Sequence, residues 1–412
     1  MASEKCFVNF GASKIKMPMK QLPLIALVLV LFGCSTTQEQ QPRAKWTAEQ
    51  AHAWYAKQPW LVGCNFGPSA AINQLEMFQA DTWDPKTIDR ELGWAQDIGF
   101  TSVRVYLHDL LWAQDAKGFL RRLDEFLAIA DKHKIGVMFV LFDSVWDPNP
   151  KLGKQPEPRP HIHNSGWVQN PGADILGNPA RHDELKGYVQ GVVGHFRNDR
   201  RVQVWDIFNE PDNLVSQYKN ELQDKPAMAL LLMRKAFAWA REMNPTQPLT
   251  SGVWIGTWSD PEKMTPTEKA QIEESDVISF HNYSNLDSMK KAVTSLKRYG
   301  RPLLCTEYMA RGNDSRFEPI LGYLKDENIG AYNWGFVNGK TQTIYPWDSW
   351  KKPYTAEPEV WFHDIFRADG SPYDANEVRY IKSLTRDARN KRSGHTSVET
   401  PIRGEILAAF SE

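Results

Sequence analysis

VQVWDIFNEPDN, Val202–Asn213, decides how the rest of the chain is read. Its first half is a nearly continuous apolar run, the pattern of a strand covered on both faces and so of a parallel sheet flanked by helices. The run ends in Asn209 and Glu210, and Pro211 removes a backbone donor and closes the strand. By the restriction a proline places on the residue before it, Glu210 is expected to be extended. A lone acid in that place is equally a cap for the next helix. Only a second carboxylate, distant in sequence and near in space, gives it a chemical role.

Working outward, the same run recurs at regular intervals. Upstream lie WLVGCNF (60–66), TSVRVYLH (101–108) and IGVMFVLFD (135–143). Downstream lie PLTSGVW (248–254), VISFHNY (277–283), PLLCTEY (302–308) and IGAYNWGFV (329–337). Helical patterns separate them, the clearest being FLRRLDEFLAIADKHK (119–134), with Leu120, Leu123, Phe126, Leu127 and Ile129 on one face. WTAEQAHAWYAKQ (46–58) reads as a further short helix capped by Thr47. Eight strand–helix units fit a doubly wound sheet or a closed barrel. No glycine-rich phosphate turn follows WLVGCNF, so the α/β reading taken is a (β/α)8 TIM barrel, one catalytic domain with long βα loops.

In such a barrel functional side chains gather where strands end. Here those ends carry Asn65, Arg104, His108, Asp143, Asn209 and Glu210, then Trp254, His281, Tyr283, Glu307 and Trp334. Glu307, in CTEYMAR, ends the seventh run and Glu210 the fourth, so the two face each other across the mouth. Ion pairing of Glu307 with Arg311 is the plainer alternative. Breaking a glycosidic bond takes one acid to protonate the leaving oxygen and one carboxylate to meet the oxocarbenium charge, about 5–5.5 Å apart when configuration is retained. The second must stay ionised, and Arg104 and Tyr283 are placed to keep it so.

At this point the chain resembles a retaining glycoside hydrolase of clan A, closest to family 5, over roughly residues 60–366. NEP after the fourth strand and TEY after the seventh carry the resemblance, with SFHNY after the sixth and NWGF after the eighth. It implies that Glu210 is the acid/base and Glu307 the nucleophile. Asn209 would bind a sugar 2-hydroxyl, Arg104, His281 and Tyr283 would support the nucleophile, and Trp334 would stack under the sugar. Asn65, His108, Asp143 and Trp254 are further candidates for substrate binding or support. The substrate implied is a β-glucan, mannan or xylan, with water as co-substrate and no cofactor. An exo-acting enzyme or transglycosidase on short glycans, or a non-catalytic glycan binder, are the alternatives. One departure is visible: the family commonly places a His after strand three, where this chain has Asp143 and Ser144. His108, or a His of the following loop, is the expected substitute.

Two long segments follow strands and would overhang the site: 144–181, rich in Pro, Gly, Trp and His, and 338–358. Of the 16 tryptophans, Trp146, Trp167, Trp254, Trp258, Trp347 and Trp350 are candidate sugar platforms, two or three of which should line a cleft. His161 and His163 lack a committed carboxylate and make a poor metal site. Cys64 and Cys305 sit within strands and read as buried thiols. A net charge of −1 gives no reason to expect nucleic acid.

The chain divides into a leader (1–34), a polar tether (35–44), the barrel (45–385) and a surface tail (386–412). Lys14, Lys16 and Lys20 precede LPLIALVLVLFG (22–33), too short to span a bilayer and suited to a signal h-region. Ending in LFGC, it resembles a bacterial lipoprotein signal, which implies a lipid on Cys34 and an enzyme held at the cell envelope; a monomer is expected. Cleavage by ordinary signal peptidase is the alternative.

Overall fold

In the computed structural model, which describes residues 41–352 and 354–386, the apolar runs form eight strands. They are β1 Val62–Asn65, β2 Ser102–Tyr106, β3 Gly136–Asp143, β4 Val202–Asn209, β5 Leu249–Thr250, β6 Ile278–His281, β7 Leu303–Tyr308 and β8 Gly330–Asn333. Every pairing is parallel, in the order β5-β4-β3-β2-β1-β8-β7-β6. The ring closes between β5 and β6, where Val253 N–H donates to the Ser279 carbonyl at 3.1 Å and His281 N–H to the Val253 carbonyl at 2.9 Å. This is the expected (β/α)8 barrel. β5 is the short member: past Thr250, Ser251 gives its N–H to Ser275 Oγ and its hydroxyl to the Phe208 carbonyl in place of a ladder bond.

Gly63 shows how tightly the wall is drawn. A Cβ there would meet the Ser102 carbonyl oxygen at 1.7 Å, so β1 can lie against β2 only without a side chain at that position. Inside, the floor is apolar: Leu61, Met138, Val204, Val277, Leu304 and Tyr332 pack together with Ala51 and Tyr55. Those last two belong to the helix Ala48–Tyr55, which plugs the end of the barrel opposite the site. Thr47 caps it as expected, its hydroxyl accepting from Gln50 N–H while Gln50 Oε1 accepts from Thr47 N–H.

The amphipathic stretch at 119–134 begins earlier than its pattern suggested. Helix Asp109–Lys132 breaks at Asp115 (φ −157°), whose carboxylate accepts from Gly118 N–H and restarts the turn. The first segment caps against the barrel rim and lacks the periodic stripe. Cys64 and Cys305 are free and buried, as read. Arg43, assigned to the tether, is docked instead, its guanidinium on Asp276 at 2.6 Å. Cys34 and the tail beyond Arg386 lie outside the described residues. Among the described residues no helix is long and apolar enough to cross a membrane.

Candidate active site

The two long βα segments meet above the strand ends. Asn164 N–H donates to the Thr341 carbonyl (2.8 Å), His163 N–H to Ser349 Oγ (3.0 Å) and Trp350 Nε1–H to the His163 carbonyl (2.8 Å). Trp146 stacks on Trp350 with centroids 5.3 Å apart and planes within 11°. His163 Nδ1 lies 2.9 Å from the Tyr345 carbonyl and His161 Nδ1 2.5 Å from the Tyr345 hydroxyl. Both histidines therefore serve the seam between the loops. Burial pushes His163 down to about 4, so it is neutral, and the carbonyl it faces places its proton on Nδ1.

Beneath this cover, alternation along β2 puts Arg104 and Tyr106 on one face of the strand. Arg104 is wholly buried and spends its guanidinium on five neighbours. It donates to Asp206 from Nε (3.0 Å) and Nη2 (2.8 Å), to Asn209 Oδ1 (2.7 Å), to Asn65 Oδ1 (2.8 Å), to the Tyr106 oxygen (2.6 Å) and to Glu307 Oε1 (2.8 Å). Burial opposes its charge, but Tyr106, Asp206 and Glu307 around it more than offset that.

Glu307 receives the output of this network. Its Oε1 accepts from Arg104 and from the Tyr106 hydroxyl (2.8 Å); its Oε2 accepts from the Tyr283 hydroxyl (2.6 Å). Burial would raise its carboxyl. The charges of His281 and Arg104, with the hydroxyls of Tyr283 and Tyr106, outweigh burial and hold it below the usual carboxylate range. Glu307 is thus built to stay ionised. Arg311 plays no part, its guanidinium being taken by Glu377 and by the carbonyls of Trp361 and Asp364.

Glu210 stands opposite. His281 Nδ1 is 2.7 Å from Glu210 Oε1 and 3.6 Å from Glu307 Oε2, and Asn213 Nδ2 donates to Glu210 Oε2 at 2.6 Å. One oxygen of each carboxylate and one nitrogen of His281 fall within 4.8 Å of one another. The expectation that Pro211 keeps Glu210 extended is wrong. Glu210 takes a left-handed φ of +42°, and Met309, just past Glu307, one of +77°. The left-handed step begins a turn, closed by Asn213 N–H on the Glu210 carbonyl (3.0 Å), that brings Asn213 onto the carboxylate. Backbone strain of this kind costs about 1–3 kcal/mol and collects at functional sites.

Glu210, His281 and Glu307 would also be the donors of any metal here. Their chemistry argues against one: an arginine and two phenol hydroxyls already donate to Glu307, and a cation would sit beside the fixed charge of Arg104.

The cleft around the pair has a volume of about 300 Å³. Of the six candidate platforms Trp146, Trp167, Trp254 and Trp347 line it, more than the two or three expected, and Trp334 joins them. Tyr106 and Trp167 brace Trp334 edge-on, each with centroids 5.9 Å away. Trp254 is fixed by its Nε1–H on Asp212 (2.6 Å). Asn209 reaches the cleft, but its carboxamide is largely used in place: Oδ1 accepts from Arg104 and Nδ2 donates to Asp143 at 2.9 Å. Asp143 also accepts from Trp167 Nε1–H (2.7 Å), and burial pushes its carboxyl up to about 7. Asn65 supports Arg104 from below, donating to the Thr306 carbonyl at 2.9 Å.

His108 does not reach the site. Its Nε2 lies 3.0 Å from the Gln169 carbonyl, and its Nδ1 accepts from Leu110 N–H, capping a helix under the rim. Among histidines of the overhanging loop, His163 lines the cleft. Sequence reasoning passed over Tyr106, Asp206, Asn213 and Asn164. Tyr106 and Asp206 had a usable signal: Tyr106 lies two residues from Arg104 on the same strand, and Asp206 is an acid set inside an apolar run. The two asparagines are set by loop conformation and had none.

The profile of the cellulase family, glycosyl hydrolase family 5, matches residues 69–340, more than half of the chain. No curated protein matches it. Similar folds among solved structures include the exo-β-1,4-mannosidase Op5Man5 from Opitutaceae bacterium strain TAV5, with 19% identity and a TM-score of 0.55, over 81% of this chain and 60% of that one. The endo-1,4-β-mannanase of Rhizomucor miehei is similar at 13% identity and a TM-score of 0.51, over 78% of this chain and 95% of that one. The endo-β-1,4-mannanase of Thermotoga petrophila is similar at 14% identity and a TM-score of 0.50, over 80% and 76%. At these identities the likeness is one of fold. The family match across the barrel, with both carboxylates at its mouth, makes the chain a member of glycosyl hydrolase family 5 and a glycosidase.

Proposed function

We propose that the enzyme cleaves β-linked glycans of the mannan or glucan type by double displacement, with Glu307 as nucleophile and Glu210 as acid/base. The observation that carries this reading is the approach of the two carboxylates within 4.8 Å, with Glu307 held ionised by three donors. A retaining pair sits about 5–5.5 Å apart, whereas an inverting pair leaves room for a water at about 6.5–9.5 Å.

In the first step Glu307 forms a bond to the anomeric carbon as the glycosidic C–O bond breaks, and the Glu210 proton passes to the departing oxygen. In the second, Glu210 takes a proton from water, the water oxygen bonds to the anomeric carbon, and Glu307 leaves as carboxylate. Oε1 of Glu307 carries two donors and Oε2 one, so Oε2 is the freer to attack. His281, between the two acids, couples their charges. Trp334 and its neighbours offer flat faces to the sugar ring.

A reducing-sugar screen over β-mannan, β-glucan and xylan identifies the substrate, with mannan first because fold relatives above are a mannosidase and mannanases. A 2-fluoro glycosyl fluoride of the matching sugar should then trap an ester on Glu307. Labelling of any other residue, read by mass spectrometry of the digest, would overturn the assignment.

A further inference from the structure

The hollows around the catalytic pair are unequal, and they fix a direction. Glu307 lines only the smaller cleft, His281 lines only a neighbouring hollow of about 850 Å³, and Glu210 lines both. The sugar whose anomeric carbon is attacked must lie against the nucleophile, and the leaving group must lie beyond the acid. The glycone therefore occupies the small cleft. The leaving portion runs into the large one, over Trp258, Ser288 and Lys290.

The glycone end is walled. Asn164, Trp167 and Trp334 form its far side, and behind them lies a separate void of only about 30 Å³, backed by Asn65, Phe66 and Phe336. Trp167 and Trp334 meet edge to face at 71°, and the backbone of Asn164 is tied to the opposite loop through Thr341. Within this wall the Asn164 carboxamide is 1% exposed, and neither its Oδ1 nor its Nδ2 has a protein partner. A buried amide with both ends unmet costs about 1–3 kcal/mol unless a ligand or water meets it. Asn164 holds a left-handed φ of +51°, so its placement is specified by the seam between the loops.

Resting on the hydrolase reading above, we propose that the two paired loops close the glycone end of the cleft. On this proposal the Asn164 carboxamide reads hydroxyls of the terminal sugar, and the enzyme removes units from the non-reducing end. A chain continuing past the attacked sugar toward its non-reducing end would have to pass through the Trp167–Trp334 wall. A chain extending toward the reducing end leaves freely.

The test uses a β-1,4-linked oligosaccharide of the sugar the enzyme hydrolyses, in two capped forms, with the full chain as enzyme. Reducing the reducing end to an alditol should leave cleavage intact, with single sugars leaving from the other end. Tying the terminal 4- and 6-hydroxyls at the non-reducing end as a ketal should slow cleavage at least a hundredfold. Cleavage of the ketal form at a comparable rate, with internal fragments, overturns the proposal and leaves the hydrolase reading standing. Failure to cleave any oligosaccharide or aryl β-glycoside overturns both. Asn164→Gly tolerates the left-handed backbone and removes the carboxamide. It should lower kcat/KM on the alditol substrate about tenfold, the scale of a lost hydrogen bond, while the unfolding midpoint stays near wild type. Unchanged kcat/KM in that variant shows the amide satisfied by water alone and overturns its reading role.

Discussion

Tyr106→Phe isolates what holds Glu307, the proposed nucleophile, ionised. The ring is buried between Trp167 (centroids 5.1 Å apart, planes at 87°) and Trp334, and phenylalanine keeps that packing. Only the hydroxyl is lost, together with its bond to Glu307 Oε1 at 2.8 Å and the bond it accepts from Arg104 at 2.6 Å. A hydrogen bond to a charged group contributes about 1.5–3 kcal/mol, and one pKa unit corresponds to about 1.4 kcal/mol. Removing it should raise the Glu307 carboxyl by roughly 1–2 units. The lower end is expected, because Arg104 Nη1 stays 2.8 Å from the same oxygen and is then shared with Asn65 alone. Glu307 reacts as the carboxylate, so activity is lost as pH falls through its pKa. The acidic limb of kcat/KM therefore moves to higher pH by that amount, while the alkaline limb stays put. Measured with an aryl β-glycoside from pH 3 to 9, an acidic limb unmoved in a variant of normal thermal stability would refute the idea that Tyr106 maintains the charge on Glu307.

Three further outcomes follow from the same geometry. Glu307→Ala should be inactive and, with azide, convert an aryl β-glycoside to the α-glycosyl azide. Glu210→Ala should lose roughly 10²–10⁴ in kcat/KM on poor leaving groups and give the β-azide, the products being told apart by proton NMR. Asp143, raised by burial to about 7 against an ordinary value of about 3.9, binds a proton in the folded state that the unfolded chain has lost. Its contribution is full below pH 4 and fades as pH rises through 7, on the order of 4 kcal/mol in all. Tm of Asp143→Asn relative to wild type should therefore rise between pH 4 and 8; a difference independent of pH would exclude this. Lipid attachment at Cys34 is proposed from the LFGC signal alone: metabolic labelling with palmitate should mark the wild type and miss Cys34→Ser, and equal labelling would rule it out.

What the sequence made legible follows from how each residue is placed. Strand ends are set by the period of two and by the barrel's closure, so reading where apolar runs stop was enough to bring Arg104, Glu210, His281, Tyr283 and Glu307 together. His108 broke that rule because the chain has already left β2 at Tyr106 and is entering a helix, where its ring caps rather than points into the mouth. Pro211 misled for a related reason: local preference favours an extended Glu210, and the turn that seats Asn213 on the carboxylate overrides it.

The loops obey no such period. Their seam joins residues far apart in sequence, His163 to Ser349 and Asn164 to Thr341. Composition could say that 144–181 and 338–358 overhang the mouth, but not that they meet, and their meeting is what narrows one end of the cleft. The carboxylate pair was therefore readable from strand ends, while on the proposal above the choice of which bond along a glycan is cut rests on a contact between two segments that neither segment encodes alone. Separating those two layers is also how they can be tested apart. Tyr106→Phe acts on the first layer, through the charge of Glu307, and should alter the pH profile on every substrate equally. Asn164→Gly acts on the second and should alter kcat/KM according to what occupies the glycone end, leaving the acidic limb where it was. A variant of Asn164 that moved the acidic limb would mean that the seam, and not only the barrel, sets the state of the nucleophile.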